Sequence, residues 1–204
     1  MNQNSSFEMT DLERQYSCLQ TITNMLIKRE WLNNDSDEIK KLEQYKKVLL
    51  TDHPVDIECN NKKVSIRFYN VKLTSLKNDR EIDNFIEAKQ NYHKILIINE
   101  ISSKLEKQIM ESKNFEVFRI MEIIKDISQH HLVPKHTLLT DDQATEFMQE
   151  YNLQKRDMGR IYIDDPMVRY LYAQKDNIIQ IIRPSTGSGY STYYRLVVPG
   201  SIHI

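Results

Sequence analysis

The sequence predicts a chain of mixed α/β and α+β class in two parts. Residues 1–127 are expected to form a three-layer α/β domain around a mixed sheet. Residues 128–204 are expected to form a small α+β module built on an antiparallel hairpin. Three observations lead there. Hydrophobic patterns of period two and period 3.6 alternate through the first ~125 residues, as strands interleaved with helices do. Ile95-Leu96-Ile97-Ile98 is a short continuous apolar run rich in β-branched residues, which suits a strand buried on both faces. The last third carries its own helix caps, apolar stripe and pair of strands, so it has the parts of a separate module.

The chain opens on a helix. Thr10-Asp11-Leu12-Glu13 has capping-box spacing, with Glu13 placed to reach back to Thr10. Leu12, Tyr16, Leu19, Ile22 and Leu26 recur at helical spacing, and Asn33-Asn34 is expected to end the helix. A second helix is expected over 36–46, with Ile39, Leu42 and Tyr45 inward, and both helices should pack on the sheet. Beyond Pro54, Val55, Ile57 and Cys59 alternate with polar residues, and then Val64, Ile66 and Phe68 do. Asn60-Asn61 between them tolerates the left-handed turn conformation, so this is a β-hairpin. A helix over 81–90 follows, burying Ile82, Phe85 and Ile86. The apolar strand comes next, then a helix capped by Ser102 with Leu105 and Ile109 inward, then a strand over 115–121. The polar stretch Lys125 to Gln129 marks the boundary.

In the C-terminal part, Val133-Pro134 holds an extended backbone. Thr140 caps a helix with Gln143 at the capping-box position, and Ala144, Phe147, Met148 and Tyr151 form its buried stripe. Asp165 caps a shorter helix with Pro166 at its first position, where the missing N–H costs nothing. Ile178 to Pro184 and Tyr190 to Val198 are the hairpin strands, joined by the five-residue loop Ser185 to Gly189.

Charge limits the partners. Residues 1–127 hold 20 Lys+Arg against 21 Asp+Glu, and residues 128–204 hold 8 against 8. Neither part offers a large phosphate-binding field, so contact with nucleic acid needs a local patch. Lys62, Lys63, Arg67 and Lys72 form the best one. On a projecting hairpin they would touch phosphates without reading bases; otherwise they are a solvated tip. Cys18 and Cys59 lack metal-ligand spacing and read as reduced thiols of an intracellular protein. Residues 1–6 carry no apolar signal run, and no stretch approaches the ~18 apolar residues needed to cross a bilayer, so a soluble protein without a membrane partner is expected.

No constellation meets the needs of catalysis. His130, His131 and His136 lack a fourth ligand, and neighbouring His130 and His131 point apart in an extended segment, so packed, hydrogen-bonded imidazoles are expected rather than zinc. Asp141-Asp142 and Asp164-Asp165 sit at helix starts, where carboxylates meet free N–H groups. Phosphate-cradling loops lead into a helix, whereas Ser185 to Gly189 leads into a strand. A nuclease site needs an Asp in one strand and Glu-x-Lys in the next. Asp56 and Glu58 are present, but Ile66-Arg67-Phe68-Tyr69 offers no carboxylate and Glu87-Ala88-Lys89 lies on a helix. No catalytic residue, metal, cofactor or small-molecule substrate is expected.

Several blocks between Gln129 and Arg195 carry a resemblance. They are His130 with Leu132, Val133, Pro134, Lys135 and His136; Arg160-Ile161; Asp165-Pro166 with Arg169 on the following helix; Ile181-Ile182-Arg183; Ser185 and Gly189 in the turn; and Tyr194-Arg195. In this order and spacing, over about a third of the chain, they resemble the family of the fifth subunit of eukaryotic RNA polymerases and its archaeal counterpart. Gln129, His131, Gly159, Asp176 and Pro184 depart from the pattern, standing where the family has His, Glu, Pro, Gly and Lys or Arg. The N-terminal part has no motif that aligns. Its position and size are similar to the jaw domain of the eukaryotic subunits, and its Lys, Asn and Ile content suits an AT-rich genome, a protist or a large DNA virus.

The resemblance implies a non-catalytic subunit of a DNA-dependent RNA polymerase. The matched residues would form the interface by which the C-terminal module docks on the largest subunit among the other polymerase subunits. The jaw would lie beside downstream duplex DNA. The location would be the nucleus of a cell, or the host cytoplasm and virion of a large DNA virus. Two alternatives fit the same residues: a DNA-processing protein with a degenerate nuclease fold, and a free-standing transcription factor carrying the module.

Overall fold

Two units make up the chain, Met1–Lys125 and Asp126–Ile204. The computed structural model describes residues 9–33, 37, 40, 54–59, 62–69, 72, 80–88, 90–110 and 114–200. In the first unit the elements are α1 (Asp11–Lys28), β1 (Val55–Glu58), β2 (Lys63–Tyr69), α2 (Arg80–Glu87), β3 (Tyr92–Ile98), α3 (Ser103–Met110), β4 (Phe115–Arg119) and the single turn α4 (Ile120–Ile123). The sheet order is β1-β2-β3-β4. β1 runs antiparallel to β2, while β2, β3 and β4 are mutually parallel, so the sheet is mixed.

Strand alternation divides the sheet into two faces. Leu96 and Ile98 of β3 share one face with Phe115 and Val117 of β4, and this face packs on Ile82 and Phe85 of α2 and Leu105 of α3. Val55, Ile57, Val64, Ile66, Ile95 and Ile97 point to the opposite face and are buried. That side receives α1, whose Cys18 Sγ lies 3.9 Å from the Ile120 carbonyl and whose C-cap Arg29 reaches Glu116 of β4. The unit is thus helix, sheet, helices in three layers. The Ile95–Ile98 run is a strand buried on both faces, beginning three residues earlier, at Tyr92.

Several element ends differ from the sequence reading. The Thr10 capping box forms, with Thr10 N–H donating to Glu13 at 2.8 Å, but α1 stops at Lys28 rather than at Asn33-Asn34. Glu30 takes a positive φ of 59°, and the N–H groups of Trp31 and Leu32 turn back to the Leu26 carbonyl, which closes the helix early. Leu12 and Tyr16 are only half-buried. The helix expected to reach Gln90 ends at Glu87, where the Lys94 amine donates to the Ile86 carbonyl. The last strand stops at Arg119 rather than Met121, because the Glu122 carboxylate accepts the Arg119 N–H and starts α4. Of the helix expected over 36–46, only Asp37 and Lys40 are described, both helical and exposed. Ile39, Leu42, Tyr45, the Asn60-Asn61 turn, Lys89 and the Ile109 side chain lie outside the described residues.

The second unit runs β5 (Lys135–Leu138), α5 (Asp141–Glu150), β6 (Gly159–Tyr162), α6 (Pro166–Tyr170), β7 (Ile178–Ser185) and β8 (Gly189–Val198). The hairpin of β7 and β8 is antiparallel as expected, but pairing continues to Ser185 opposite Gly189. The connecting loop is therefore Thr186 to Ser188, three residues rather than five. Two four-residue strands widen the hairpin into a sheet of order β5-β7-β8-β6, in which β6 runs parallel to β8, so this sheet is mixed as well. The Thr140 capping box and the Asp165 cap both form, with Met167 N–H donating to Asp165 at 2.8 Å. Ala144, Phe147 and Met148 pack on Met158, Ile178 and Leu196 but are half-buried, and Tyr151 is exposed, so the α5 stripe is shallower than expected. No described helix is long and apolar enough to cross a membrane.

Candidate functional site

The hairpin register decides which residues share a surface. Ile179 pairs with Arg195, Ile181 with Tyr193 and Arg183 with Ser191, so Arg183, Tyr193 and Arg195 lie on one face. Arg183 donates through Nη2 to the Tyr193 hydroxyl, and its Cζ lies 4.1 Å from the centre of that ring. Arg195 donates through Nη1 to the Arg160 carbonyl at 2.9 Å. Both arginines are exposed, and neither pairs with Asp164 or Asp165. Tyr194 points to the other face, stacked on Phe147 at 3.9 Å between ring centres, with its hydroxyl accepting from Gln180 Nε2 at 3.0 Å. It is an internal strut beside α5. Gly189 has φ +73°, which is why a glycine closes this turn, and Ser185 pairs with it across the hairpin.

The His130 to His136 segment is extended only in part: a turn closes between His130 and Val133, and Lys135 and His136 open β5. Ile127–Gln129 forms a 3-10 turn, and Val133 N–H donates to the His130 carbonyl at 2.9 Å. The turn stacks the His130 and His131 rings, 4.7 Å apart, rather than pointing them apart. It leaves Leu132 exposed and Val133 and Pro134 half-buried. His136 Nδ1 donates to the Pro134 carbonyl at 2.7 Å, and Lys135 faces solvent at the start of β5. Asp126 holds the segment's entry: it accepts from Ser128 N–H at 3.0 Å and from the Tyr170 hydroxyl at 3.3 Å. Arg169 sits in the last turn of α6, half-buried. Among the described residues no three His, Cys, Asp or Glu side chains gather as metal ligands.

Each of the four basic residues Lys62, Lys63, Arg67 and Lys72 has a partner within this unit. Lys62 sits over the Trp31 ring at 4.0 Å, and Lys63 pairs with Glu58 at 3.3 Å. Arg67 pairs with Glu81 of α2 at 3.0 Å, and Lys72 with Glu100 at 2.9 Å. Asp56 and Glu58 are likewise engaged, Asp56 accepting from Ser65 Oγ at 2.7 Å.

Comparison with known proteins finds a match over the second unit. Residues 125–197 match the family model described as RNA polymerase Rpb5, C-terminal domain, a span that takes in nearly all of the second sheet. A DNA-directed RNA polymerase subunit Rpo5 of Thermofilum pendens is 40% identical over 75 residues, covering 94% of that protein and 37% of this chain. The chain belongs to the RNA polymerase subunit 5 family. A subunit rpabc1 of RNA polymerases I, II and III from Dictyostelium discoideum is 25% identical over 197 residues, covering 93% of this chain and all of the relative. A DNA-directed RNA polymerase subunit 5 of Acanthamoeba polyphaga mimivirus is 30% identical over 127 residues; the match spans 62% of either chain.

One departure of this chain from the family pattern has a plain cause. Asp176 stands where the family has Gly and takes φ +70°, a conformation that Asp tolerates better than most residues. Two features escaped the sequence reading. Tyr193 is the partner of Arg183, and only the register reveals it. The other is a buried polar cluster in the first unit. Arg29 donates to both carboxylate oxygens of Glu116, at 2.7 and 2.9 Å, and His93 Nε2 lies 2.6 Å from the same carboxylate. Trp31 packs edge-on against His93, with ring centres 4.9 Å apart. Burial opposes the Glu116 charge, but the Arg29 guanidinium and the His93 hydrogen bond outweigh it and hold the carboxyl at a pKa of about 2.

Proposed function

We propose that this chain is a non-catalytic subunit of a multisubunit DNA-dependent RNA polymerase. Its second unit docks on the largest subunit, and its first unit serves as a jaw-like domain near downstream DNA. The observation that carries this reading is the face of Arg183, Tyr193 and Arg195, two exposed arginines flanking an aromatic ring within the segment that matches the family. Guanidinium groups make forked bonds to carboxylates and carbonyls, which suits them to a protein interface. Exposed Leu132, at the turn in the first matched block, adds apolar contact area. The jaw would approach DNA through backbone phosphates without reading bases; Lys62, Lys63 and Lys72 are exposed residues even while partnered. In a cell the complex would work in the nucleus, and in a large DNA virus in host cytoplasm and virion.

Affinity purification of the full chain from cells that produce it tests this. The largest polymerase subunit should come with it in stoichiometric amount. Recovery without polymerase subunits would favour a free-standing factor, and DNA cleavage with magnesium that disappears on Asp56→Ala would refute the non-catalytic reading.

A further inference from the structure

We propose that the hairpin of β7 and β8 takes up an extended segment of a partner chain as an added strand, along the outer edge of β8 from Tyr190 to Tyr193. The segment carries acidic side chains on the face of Arg183, Tyr193 and Arg195. This rests on the assembly role proposed above and names how that surface is used.

β8 is ten residues long, but β6 pairs only with Arg195 to Val198. Among the described residues no strand covers the same side of Gly189 to Tyr193. Backbone direction along β8 alternates. Val197 exchanges hydrogen bonds with Asp176 and Asn177 on the β7 side, whereas the Val198 carbonyl accepts from Ile163 on the β6 side. Counting back by twos, Tyr190 and Thr192 turn their backbone groups toward the open edge, while the Tyr194 carbonyl faces Gly159 of β6. Tyr190 is 71% exposed and Thr192 is exposed too.

The opposite edge of the same ribbon is closed to such pairing. The Ile178 carbonyl accepts from Leu139 on the β5 side, so the same alternation turns Pro184 to that side, just past the end of β5 at Lys135. Proline has no N–H to give an incoming strand. One rim of the hairpin is thus blocked and the other presents donors, an arrangement that favours strand addition on the β8 side. Charge then selects the occupant. Arg183 is spent on a phenol and Arg195 on a carbonyl, so two cations on one face lack a carboxylate among the described residues. An added strand places alternate side chains over that face, and acidic ones would complete both charges.

Amide hydrogen exchange tests the proposal, on the full chain alone and in the polymerase recovered with it. The Tyr190 and Thr192 amides should exchange fast in the free chain and slow by about tenfold or more in the assembly. Fast exchange in the assembly would overturn strand addition while leaving the assembly role intact; recovery of no polymerase would overturn both. Protection in the free chain together with a concentration-dependent dimer would mean that a second copy fills the edge, and would overturn the proposal as well. Thr192→Pro removes an outward N–H without touching the β7 pairing, and should lower recovered polymerase by about tenfold, the loss of roughly one hydrogen bond. Thr192→Ala keeps that N–H and should not. Equal losses would overturn the proposal, and if Thr192→Pro fails to fold, the exchange result decides.

Discussion

Arg29 and Glu116 meet in a two-pronged ion pair that joins the end of α1 to β4, with the Arg29 side chain 1% and the Glu116 side chain 12% exposed. Removing one partner of a buried pair leaves the other charge uncompensated. Glu116→Gln should therefore destabilise the first unit by about 3–5 kcal/mol. Trp31, the single tryptophan, packs on His93 beside the pair, so its fluorescence in a denaturant titration reads this unit. A midpoint unchanged within error would show that the pair contributes nothing net.

The same carboxylate sets an acid dependence. Its folded pKa, about 2, lies below the ordinary value of 4.5. The unfolded chain therefore binds a proton first as pH falls, and the stabilisation is fully present above the ordinary range and lost on the way down to pH 2. Trp31-detected unfolding should need less denaturant at pH 3 than at pH 6, and Glu116→Gln should flatten that difference.

Arg183→Ala and Arg195→Ala should leave the free chain folded, with stability changed by no more than about 0.5 kcal/mol, because both side chains are exposed. Each should weaken association with the largest polymerase subunit by about 2–5 kcal/mol, as loss of one partner from a desolvated charged pair does. Co-purification and thermal melts separate the two effects. A variant that melts the free chain yet still assembles would make that arginine an internal strut.

We expect residues 126–204 to fold as an isolated fragment with cooperative thermal unfolding. A fragment starting at Ser128 loses the Asp126 carboxylate that caps the first turn and holds Tyr170. It should be less stable by about 1 kcal/mol, as lost caps are. Failure of the longer fragment to unfold cooperatively would mean that the two units depend on each other.

What the sequence reveals here is set by the range of the interactions. The caps at Thr10, Thr140 and Asp165 link residues only two or three positions apart and were legible. So was the Ile95–Ile98 strand, because burial on both faces leaves an unbroken apolar run. β5 and β6 are four residues each and exist only through partners 20 or more positions away, so no local pattern marked them. α1 ended at a left-handed Glu30, where neither Gly nor Asn announced the stop. Arg183 and Arg195 stood out in the sequence, but that Tyr193 rather than Tyr194 shares their face followed from register alone, since a shift of one residue reverses the face. Arg29 and Glu116 stand 87 residues apart, so no local pattern links them.

Cys18 makes the opening of α1 chemically visible. Burial pushes its thiol up to about 12, and its side chain is fully enclosed, so the thiolate that a maleimide or disulfide reagent attacks is scarce while the helix is seated. Cys59, half-buried at the end of β1, should react first; the only other cysteine is Cys18. The slow phase of labelling is therefore a clock for the first unit alone, since residues 126–204 contain no sulfhydryl to confuse it. Run on polymerase-bound chain, that clock would report whether assembly at the far end of the sequence quiets or leaves untouched the breathing of α1.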